Sequence, residues 1–377
     1  MSRVAKAAVG LMAATLVAKI LGFGRELALA SAYGASGVSD AFLVAMNIPA
    51  VIFTAIGTSL GTAFIPLYCE VNANKGEQSS NKFTNNVFNI VVIICIVISV
   101  IGAIFTPQIV KIFAVGFEGE TLRLAIYFTR VMILGLAFFG LSYIMMAYLQ
   151  VKENFIIPGF MSVPYNILII ISIIVSVKIS PYLLPWGTLI GLSLQFLFQL
   201  PFAIKKGYRY KLYIDVKDEH LKRMLWLIAP VLIGVAVNQI NTIVDRTIAS
   251  TLVEGSISAL NYATKLNQFV MGMFIVSISS VVYPMLSKLS SENNKEQFNK
   301  SIITSVNTVT LLVIPISIGA IILANPIVKL LFQRGEFDVR ATQMTAVALI
   351  FYSIGMIGYG LRDILGKVFY SLQDTRT

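Results

Sequence analysis

Charged side chains interrupt the long apolar segments of this 377-residue chain. Lys19, Arg25 and Glu26 lie in the first apolar segment, and Asp245 and Lys265 lie in two later ones. A charge near the centre of a bilayer costs at least about 2.5–3.5 kcal/mol on insertion scales, so each of these residues is a functional candidate. Because the cations outnumber the acids that could neutralise them, they favour an anionic ligand, and phosphate suits convergent Arg and Lys best.

The first segment also allows a purely structural interpretation. Lys19 or Arg25 paired with Glu26 would hold the helix together without binding a ligand, and the sequence leaves both interpretations open. Gly22 and Gly24 lie between these charges and weaken the helix, which predicts a kink or an unwound turn there.

The acidic and amide residues of the apolar segments predict a cavity with an ion site. Asp245 occupies the position equivalent to Glu26 in an internal repeat, and an intramembrane carboxylate is a usual place for Na⁺ or H⁺ to couple to transport. Asp245 is therefore a candidate Na⁺ ligand, for a coupling or a structural ion. Asp40 follows Ser39 and is expected to act as a helix cap more than as a ligand. We assign four residues to the cavity or its gate: Glu26, Asp40, Asn261 and Gln268.

No arrangement of residues in the sequence predicts an enzyme. The single histidine, His220, lies in a charged segment, and the two cysteines, Cys69 and Cys95, are too few for a disulfide framework. The chain contains neither a P-loop nor an H-E-x-x-H motif. We therefore expect a protein without catalytic residues and without a cofactor other than the candidate Na⁺.

The composition is that of an integral membrane protein. Hydrophobic residues make up 57% of the chain and charged residues 12%, whereas a soluble domain carries about 25% charged residues. Apolar segments of about 20 residues cross a bilayer as helices, and open sheets are excluded there. The sequence predicts an all-α polytopic membrane protein with about ten transmembrane helices, over residues 7–31, 39–66, 84–113, 121–149, 157–178, 182–204, 223–251, 256–287, 300–324 and 340–371.

The distribution of basic residues predicts the orientation of the chain. The net charge is +11, but the cations cluster in alternate connections between spans, which is the pattern of membrane topology and not of nucleic-acid binding. The cation-rich connections are expected in the cytoplasm together with the N-terminus. The longest of them, residues 206–222, is predicted to be a cytoplasmic amphipathic linker at the membrane surface.

An internal repeat with a period of about 219 residues divides the chain. Ala30-Ser31 aligns with Ala249-Ser250, and Ile112-Phe113 aligns with Leu331-Phe332. We predict an N-lobe of about six spans over 1–205, the linker over 206–222, and a partial C-lobe of about four spans over 223–377. Copies with even numbers of spans form a parallel repeat, the two-lobed transporter architecture that binds its substrate between the lobes. Because the second copy is shorter, we expect this chain to be C-terminally incomplete.

Several motifs, in one order along the whole chain, resemble a known family. The segments are Lys19-Ile-Leu-Gly-Phe-Gly-Arg25-Glu26, Ser39-Asp40-Ala-Phe42, Ala63-Phe64-Ile-Pro66, Asn261-Tyr262-Ala263-x-Lys265-Leu266, Leu331-Phe332-x-Arg334-Gly335-x-Phe337 and Val368-Phe-Tyr-Ser-Leu-Gln-Asp374-Thr-Arg376-Thr377. Together they resemble the MurJ (MviN) lipid II flippases, which share a superfamily with multidrug (MATE) exporters and polysaccharide flippases.

The resemblance implies a two-lobed transporter of the bacterial cytoplasmic (inner) membrane. Such a protein moves lipid II, the undecaprenyl-pyrophosphate-linked peptidoglycan precursor, to the outer leaflet by alternating access. The resemblance also implies that Arg25 faces the diphosphate and that Lys19 and Lys265 stand where the family has arginines. Asp245 matches the family's carboxylate at a Na⁺ site. The implied partners are lipid II or a related prenyl-pyrophosphate glycolipid, membrane lipids and the cell-wall synthesis machinery, with no nucleic acid.

Three other functions remain open from the sequence. A flippase for another prenyl-linked oligosaccharide would share the diphosphate contacts. A cation-coupled, MATE-like small-molecule exporter would share the architecture, but it predicts a cavity of acids and aromatic residues, whereas this interior is net basic. A non-transporting scaffold of the cell-wall machinery would use the intramembrane charges only to pair helices.

Overall fold

Helices dominate the computed structural model of the chain, which describes residues 3–292 and 294–372. These residues form thirteen α-helices and two short 3-10 turns, and no strand occurs among them. This confirms the predicted all-α architecture. Its physical reason is that a helix satisfies every interior backbone N–H and C=O within one segment, which the hydrocarbon of a bilayer demands.

The chain forms two compact units, Met1–Ile257 and Ser258–Thr377. The helices of the first unit are α1 (Arg3–Tyr33), α2 (Gly37–Ile104), α3 (Thr106–Phe113), α4 (Gly119–Met132), α5 (Leu136–Val151), α6 (Ile156–Phe160), α7 (Ser162–Lys178), α8 (Leu184–Lys205) and α9 (Glu219–Ser250). Residues 206–218, which join α8 to α9 without forming a helix, are called the strap.

The second unit contains most of one long helix and three further ones. These are α10 (Ser256–Ser291), which begins two residues before the unit boundary, α11 (Lys295–Ile322), α12 (Ala324–Phe332) and α13 (Val339–Ser371). The predicted N-lobe, linker and C-lobe boundaries come from the sequence repeat, whereas the compact units follow spatial contact. The division into 1–205, 206–222 and 223–377 therefore stays a prediction.

The helix α2 joins two predicted spans that the sequence separates. Residues 67–83 are predicted to be a loop, but they are helical on both sides of a kink at Gly76, where φ is 76° and ψ is 177°, so α2 consists of two helices that meet there. Glycine has no Cβ and adopts positive φ readily, so it allows the break without steric cost.

Seven helical segments of the described residues are long and apolar enough to cross a membrane. They are Leu60–Ile104, Gly119–Val151, Ile156–Lys178, Pro181–Lys205, Ser256–Ser291, Lys295–Ile322 and Val339–Ser371. The other three predicted spans, 7–31, 39–66 and 223–251, are helical through nearly all of their length but are not among these seven. A polytopic membrane protein is confirmed, with seven such segments in the described part of the chain against about ten spans predicted from the whole sequence.

The sequence repeat recurs as a repeat of elements. In the first unit α3 is followed by a short connection and by α4, which begins at Gly119; in the second unit α12 is followed by a similar connection and by α13. Gly335 in the second connection has φ 59°, where glycine is favoured. Both copies thus place a short helix and a glycine-containing turn between two long helices, as the two-lobed repeat predicts.

Aromatic residues from two of the resemblance motifs pack together in the second unit. The ring centres of Tyr262 and Phe332 lie 5.2 Å apart, and Phe337 lies 5.6 Å from Tyr262 and 5.7 Å from Phe332. All three side chains are buried. Such clusters bury a large apolar area and prefer tilted or edge-to-face contacts. The two motifs therefore fix α10 against α12 and the turn that follows it.

Candidate functional site

Arg25 lies on α1 in a polar contact with α7. Its Nη2 lies 2.7 Å from Oε1 of Glu26, and its Nη1 donates to Oδ1 of Asn166 at 3.2 Å. The guanidinium carbon lies 5.9 Å from the ring centre of Tyr165, within the range of a cation–π contact. The side chains of Arg25 and Glu26 are 16% and 3% exposed. The structure thus holds one half-buried cation by a carboxylate, an amide and an aromatic face.

This arrangement leaves Arg25 able to bind an anion. A guanidinium carries five N–H donors, and the contacts of Arg25 use one from each terminal nitrogen. Its charge is balanced by Glu26, so the ion pair that the sequence left open is present. An anionic ligand at Arg25 would share or displace Glu26.

The helix around Arg25 is continuous. Residues 21–26 are helical throughout, so the unwound turn predicted at Gly22 and Gly24 is wrong. A Cβ at Gly22 would lie 3.9 Å from Nδ2 of Asn166, which is ordinary contact, and one at Gly24 would meet nothing within 4 Å. The α1 backbone therefore keeps its hydrogen bonds, and two glycines alone do not break a helix whose neighbours favour it.

Lys19 lies on the same helix as Arg25 and is exposed. The six residue steps from Lys19 to Arg25 correspond to about 9 Å along a helix axis. The structure therefore places both cations on α1, with Arg25 half-buried and Lys19 exposed. A joint role of Lys19 with Arg25 in binding a ligand stays a prediction.

Asp40 binds the start of another helix. Its Oδ2 accepts a hydrogen bond from the backbone N–H of Gly255 at 2.8 Å, and its side chain is 3% exposed. Asp40 was predicted to cap its own helix, but α2 begins earlier, after Ser36, and Ser39 donates to the carbonyl of Gly34. The prediction of a cap is thus wrong for α2, because the carboxylate reaches the N-terminal end of α10 instead.

A second hydrogen bond runs in the opposite direction between the same two segments. The backbone N–H of Gly37 at the start of α2 donates to Oε1 of Glu254 at 2.5 Å. Each segment thus supplies one acid to a backbone N–H of the other. We call these four residues, Gly37, Asp40, Glu254 and Gly255, the clasp. Acids are favoured at helix N-termini by the exposed N–H groups and by the helix dipole.

Close to the clasp in sequence, the C-terminal end of α9 contacts the end of α3 and the residues that follow it. Ser250 Oγ accepts from the backbone N–H of Gly116 at 3.0 Å, and Thr247 Oγ1 donates to the carbonyl of Ile112 at 2.8 Å. A Cβ at Gly116 would lie 2.2 Å from the carbonyl oxygen of Ser250. The glycine therefore permits a backbone approach that no larger residue allows at this position.

The remaining predicted site residues lie on α9 and α10. Asp245 is exposed on α9 in the first unit. In the second unit, Asn261 and Lys265 are half-buried on α10 and Gln268 is exposed on the same helix. The structure does not bring Lys265 to Arg25 within one unit, so their convergence on a ligand stays a prediction.

The candidate ion site at Asp245 stays a prediction. Within residues 3–292 and 294–372, no group of three or more His, Cys, Asp and Glu side chains could hold a metal ion. Asp245 is exposed and contributes one carboxylate. The role of Asp245 as an ion ligand therefore rests on its position in the sequence repeat.

The sequence analysis did not identify several polar residues that make contacts within the apolar helices. Asn166 is a lone amide in an apolar helix, and the rule applied to charges in apolar segments would have identified it. The same rule would have identified Asp363 and Lys367 on α13. In the second unit Ser279 Oγ donates to Oδ2 of Asp363, and Lys367 Nζ lies 5.7 Å from the ring centre of Tyr283.

The family model and the similar proteins found by comparison share one description. The family described as "Lipid II flippase MurJ" matches residues 29–377. A "Probable lipid II flippase MurJ" of Buchnera aphidicola subsp. Baizongia pistaciae is 30% identical over 378 residues, covering 99% of this chain and 74% of that protein. The "Lipid II flippase MurJ" of Burkholderia cenocepacia is 30% identical over 375 residues, covering 96% of this chain and 72% of that protein.

Solved structures share the fold. A lipid II flippase MurJ in an inward closed conformation superposes with a TM-score of 0.84 at 30% identity, over 97% of this chain and 76% of that one. An inward-facing MATE multidrug transporter superposes with a TM-score of 0.71 at 12% identity, over 97% of this chain and 86% of that one, which shows the fold alone. Family match, sequence relatives and fold agree, and the chain belongs to the lipid II flippase MurJ family.

Proposed function

We propose that this protein is a lipid II flippase of the bacterial cytoplasmic membrane, with its N-terminus in the cytoplasm. The observation that carries the proposal is the half-buried Arg25, held by Glu26 and Asn166, in a chain of the MurJ family. A flippase of this kind is a transporter without catalytic residues. Its substrate is the undecaprenyl-pyrophosphate-linked peptidoglycan precursor, whose diphosphate is the group that a guanidinium recognises best.

Arg25 performs the recognition in this proposal. A diphosphate oxygen that replaces Glu26 at Nη2 forms a charge-assisted hydrogen bond of the same kind, so binding exchanges one anion for another at the guanidinium. Asn166 keeps the guanidinium plane in place during the exchange, and the remaining N–H groups allow bidentate contact. Lys19 and Lys265 add point charges along the substrate's path, and Asn261 and Gln268 line it.

The clasp closes one side of the pathway in this proposal. It lies at the C-terminal end of α9, whereas the strap lies at the N-terminal end, and 31 helical steps separate these ends by about 47 Å. Since the cation-rich strap is expected in the cytoplasm, the clasp faces the outer side. Alternating access requires the hydrogen bonds of Asp40 and Glu254 to break when the outer side opens, and backbone N–H partners make that exchange reversible.

Sodium binding at Asp245 is a separate part of the proposal. Its support is the position of this carboxylate, equivalent to Glu26 in the repeat. The measurement is the thermal stability of the purified protein in sodium chloride against choline chloride, for the wild type and for Asp245→Asn. Stabilisation by sodium that Asp245→Asn abolishes supports the ligand role, and equal stability in the two salts contradicts it.

The transport proposal is tested by complementation. A strain depleted of its own lipid II flippase receives the gene for this protein with Arg25→Ala, with Arg25→Lys or with no change. Growth with the wild type and its loss with Arg25→Ala, at equal protein levels in the membrane, is the expected result. Arg25→Lys should rescue growth partially, because a lysine keeps the charge and loses the bidentate fork.

A matched control separates recognition from general charge loss. Arg123 is an exposed cation on α4 in the same unit, and Arg123→Ala should support normal growth. A wild type that reaches the membrane but never rescues growth would overturn the lipid II assignment. Rescue of a strain that lacks a flippase for another prenyl-linked oligosaccharide would then identify the substrate, and drug export would identify a MATE-like transporter.

A further inference from the structure

A row of four asparagines on α2 holds the strap. Asn81 Nδ2 donates to the carbonyl of Gly207 at 3.0 Å, and Asn85 Nδ2 donates to that of Arg209 at 2.8 Å. Asn89 Nδ2 lies within hydrogen-bond distance of the carbonyls of Lys211 at 3.3 Å and Tyr213 at 3.1 Å. Asn86 pairs at two points with residue 215, accepting from its N–H at 2.7 Å and donating to its carbonyl at 2.8 Å. The strap is therefore a fixed element of the first unit.

The order of these contacts describes a path along α2. The strap meets Asn81 first, then Asn85 and then Asn89, before it returns to Asn86. From Asn81 to Asn89 the helix rises about 12 Å. The apex of the strap, residues 211–213, is thus the part that reaches farthest along α2. One turn beyond Asn89, α2 presents Ile93, which is 46% exposed on a helix apolar enough to span a membrane.

The strap exposes apolar side chains where it comes nearest to this lipid-facing surface. Leu212 at the apex is 77% exposed, Ile214 is 48% exposed and Val216 is 66% exposed. Tyr210 hydrogen-bonds Asn89 through its hydroxyl, at 3.0 Å, while part of its ring stays exposed. Tyrosines are typical of the membrane–water interface, where a ring meets lipid and a hydroxyl finds a polar partner.

Cations flank the apolar apex. Arg209, Lys211 and Lys217 are exposed, as are Lys205 at the end of α8 and Lys206 at the start of the strap. The single acid of the strap that lies between them, Asp215, already accepts hydrogen bonds from the Tyr213 hydroxyl and the Lys217 N–H. An apolar tip flanked by uncompensated cations matches an anionic lipid leaflet, with acyl chains below and negative headgroups at the level of the cations.

We propose that the strap is a re-entrant lipid-binding element, in which Leu212 inserts among the acyl chains and Arg209, Lys211 and Lys217 bind anionic phospholipid headgroups. The proposal does not depend on which substrate the protein moves. Because every asparagine contact goes to strap backbone or to a tyrosine hydroxyl, the three cations can be replaced without removing a hydrogen bond that holds the strap.

Insertion is tested by the depth of a label at the apex. In a Cys69→Ala/Cys95→Ala background, an environment-sensitive fluorophore is attached at Leu212→Cys or at Lys206→Cys, which lies at the strap's first contact level. The whole chain is reconstituted in vesicles that carry a quencher on the acyl chains. Quenching of the Leu212 label at least about twice that of the Lys206 label is expected for an apex inserted about 12 Å deeper. Equal, weak quenching at both positions overturns insertion.

Headgroup recognition is tested by lipid composition. Binding of fluorescent phosphatidylglycerol is compared with that of phosphatidylcholine for the wild type and for the triple variant Arg209→Gln/Lys211→Gln/Lys217→Gln. Each lost charge should weaken binding of the anionic lipid about fivefold. The control Lys288→Gln/Lys295→Gln/Lys300→Gln removes three exposed cations of the second unit and should leave the preference unchanged. An equal loss in both triple variants assigns the effect to net charge and overturns the proposal, as does no loss in either.

Discussion

The carboxylate of Asp40 accepts a hydrogen bond from the backbone N–H of Gly255, 215 residues later in the chain. The bond joins the beginning of α2 to the beginning of α10, so the two sequence copies are connected at equivalent places. The return bond from Gly37 to Glu254 makes the connection reciprocal. Hydrogen bonds between a carboxylate and a backbone N–H are strong when water is excluded, and water can replace either partner when the contact opens. Such a contact can therefore close and open as a gate.

Removing the Asp40 carboxylate should destabilise the protein. In Asp40→Ala the buried N–H of Gly255 loses its acceptor, which costs about 1–3 kcal/mol. In Asp40→Asn an amide oxygen can still accept, so most of that stability should remain. The measurement is the thermal unfolding midpoint of the detergent-purified variants. A midpoint for Asp40→Ala equal to that of the wild type would show that the bond contributes nothing in the folded state.

Gly255 should tolerate no side chain. Its φ is +90°, and a Cβ would lie 2.2 Å from the carbonyl oxygen of Ala35. The positive φ alone costs a non-glycine residue about 1–2 kcal/mol, and the clash adds to it. Gly61→Ala is the control, because nothing lies within 4 Å of that Cβ in the interior of α2, so this change should stabilise by about 0.5–1 kcal/mol. If the unfolding midpoints of Gly255→Ala and Gly61→Ala shift in the same direction and by the same amount, the close approach of Gly255 to Ala35 is contradicted.

The sequence predicted the helices well and the polar contacts only in part. Apolar segments and their flanking turns place α8 and α13 near their true ends, because hydropathy and helix geometry act locally. The partner of Asp40 could not be found this way, since the carboxylate faces a backbone N–H far along the chain and backbone groups leave no signature in a sequence. Of the two partners of Arg25, the sequence indicated only Glu26, which is its neighbour in the chain. Asn166 could not be found because its contact with Arg25 depends on how α1 packs on α7.

The two-point pairing of Asn86 should be essential for the strap. Asn86 is buried and serves both the N–H and the carbonyl of Asp215. Asn86→Ala leaves both backbone groups to water, so amide hydrogen exchange at residues 213–217 should quicken by about tenfold or more, as expected for the loss of a net hydrogen-bond contribution of about 1.5 kcal/mol. Asn299→Ala, at an exposed position of α11, is the control and should leave strap exchange unchanged.

The strap should loosen at low pH. The Lys217 backbone N–H, and after it the Tyr213 hydroxyl, lower the pKa of Asp215 below its ordinary value of 3.8. A carboxyl group with a lowered folded-state pKa stabilises the fold above its unfolded pKa and loses that contribution as the pH falls through the folded value. Amide exchange of the strap should therefore be constant above about pH 5 and increase below pH 3.8, after correction for intrinsic rates. Asp215→Asn should remove the pH step, and a step that persists would assign it to another group.

Glu26 should set how tightly the protein holds an anion at Arg25. In Glu26→Gln the guanidinium keeps its charge and loses its ionic partner, so a diphosphate no longer competes with a carboxylate at Nη2. A hydrogen bond to a charged group contributes about 1.5–3 kcal/mol, so affinity for a short-chain prenyl diphosphate should rise by at least about tenfold. Release should slow by a similar factor, because the carboxylate that would displace the leaving diphosphate is gone.

Growth of the depletion strain should therefore fall although binding improves. Asn166→Ala is the matched variant, since it removes the other contact of Arg25 without changing the charge and should weaken binding instead. Opposite shifts in affinity for the two variants indicate that the anion replaces Glu26. If Glu26→Gln binds the diphosphate no better than the wild type at equal protein level, Arg25 and Glu26 are a structural pair and the anion binds elsewhere.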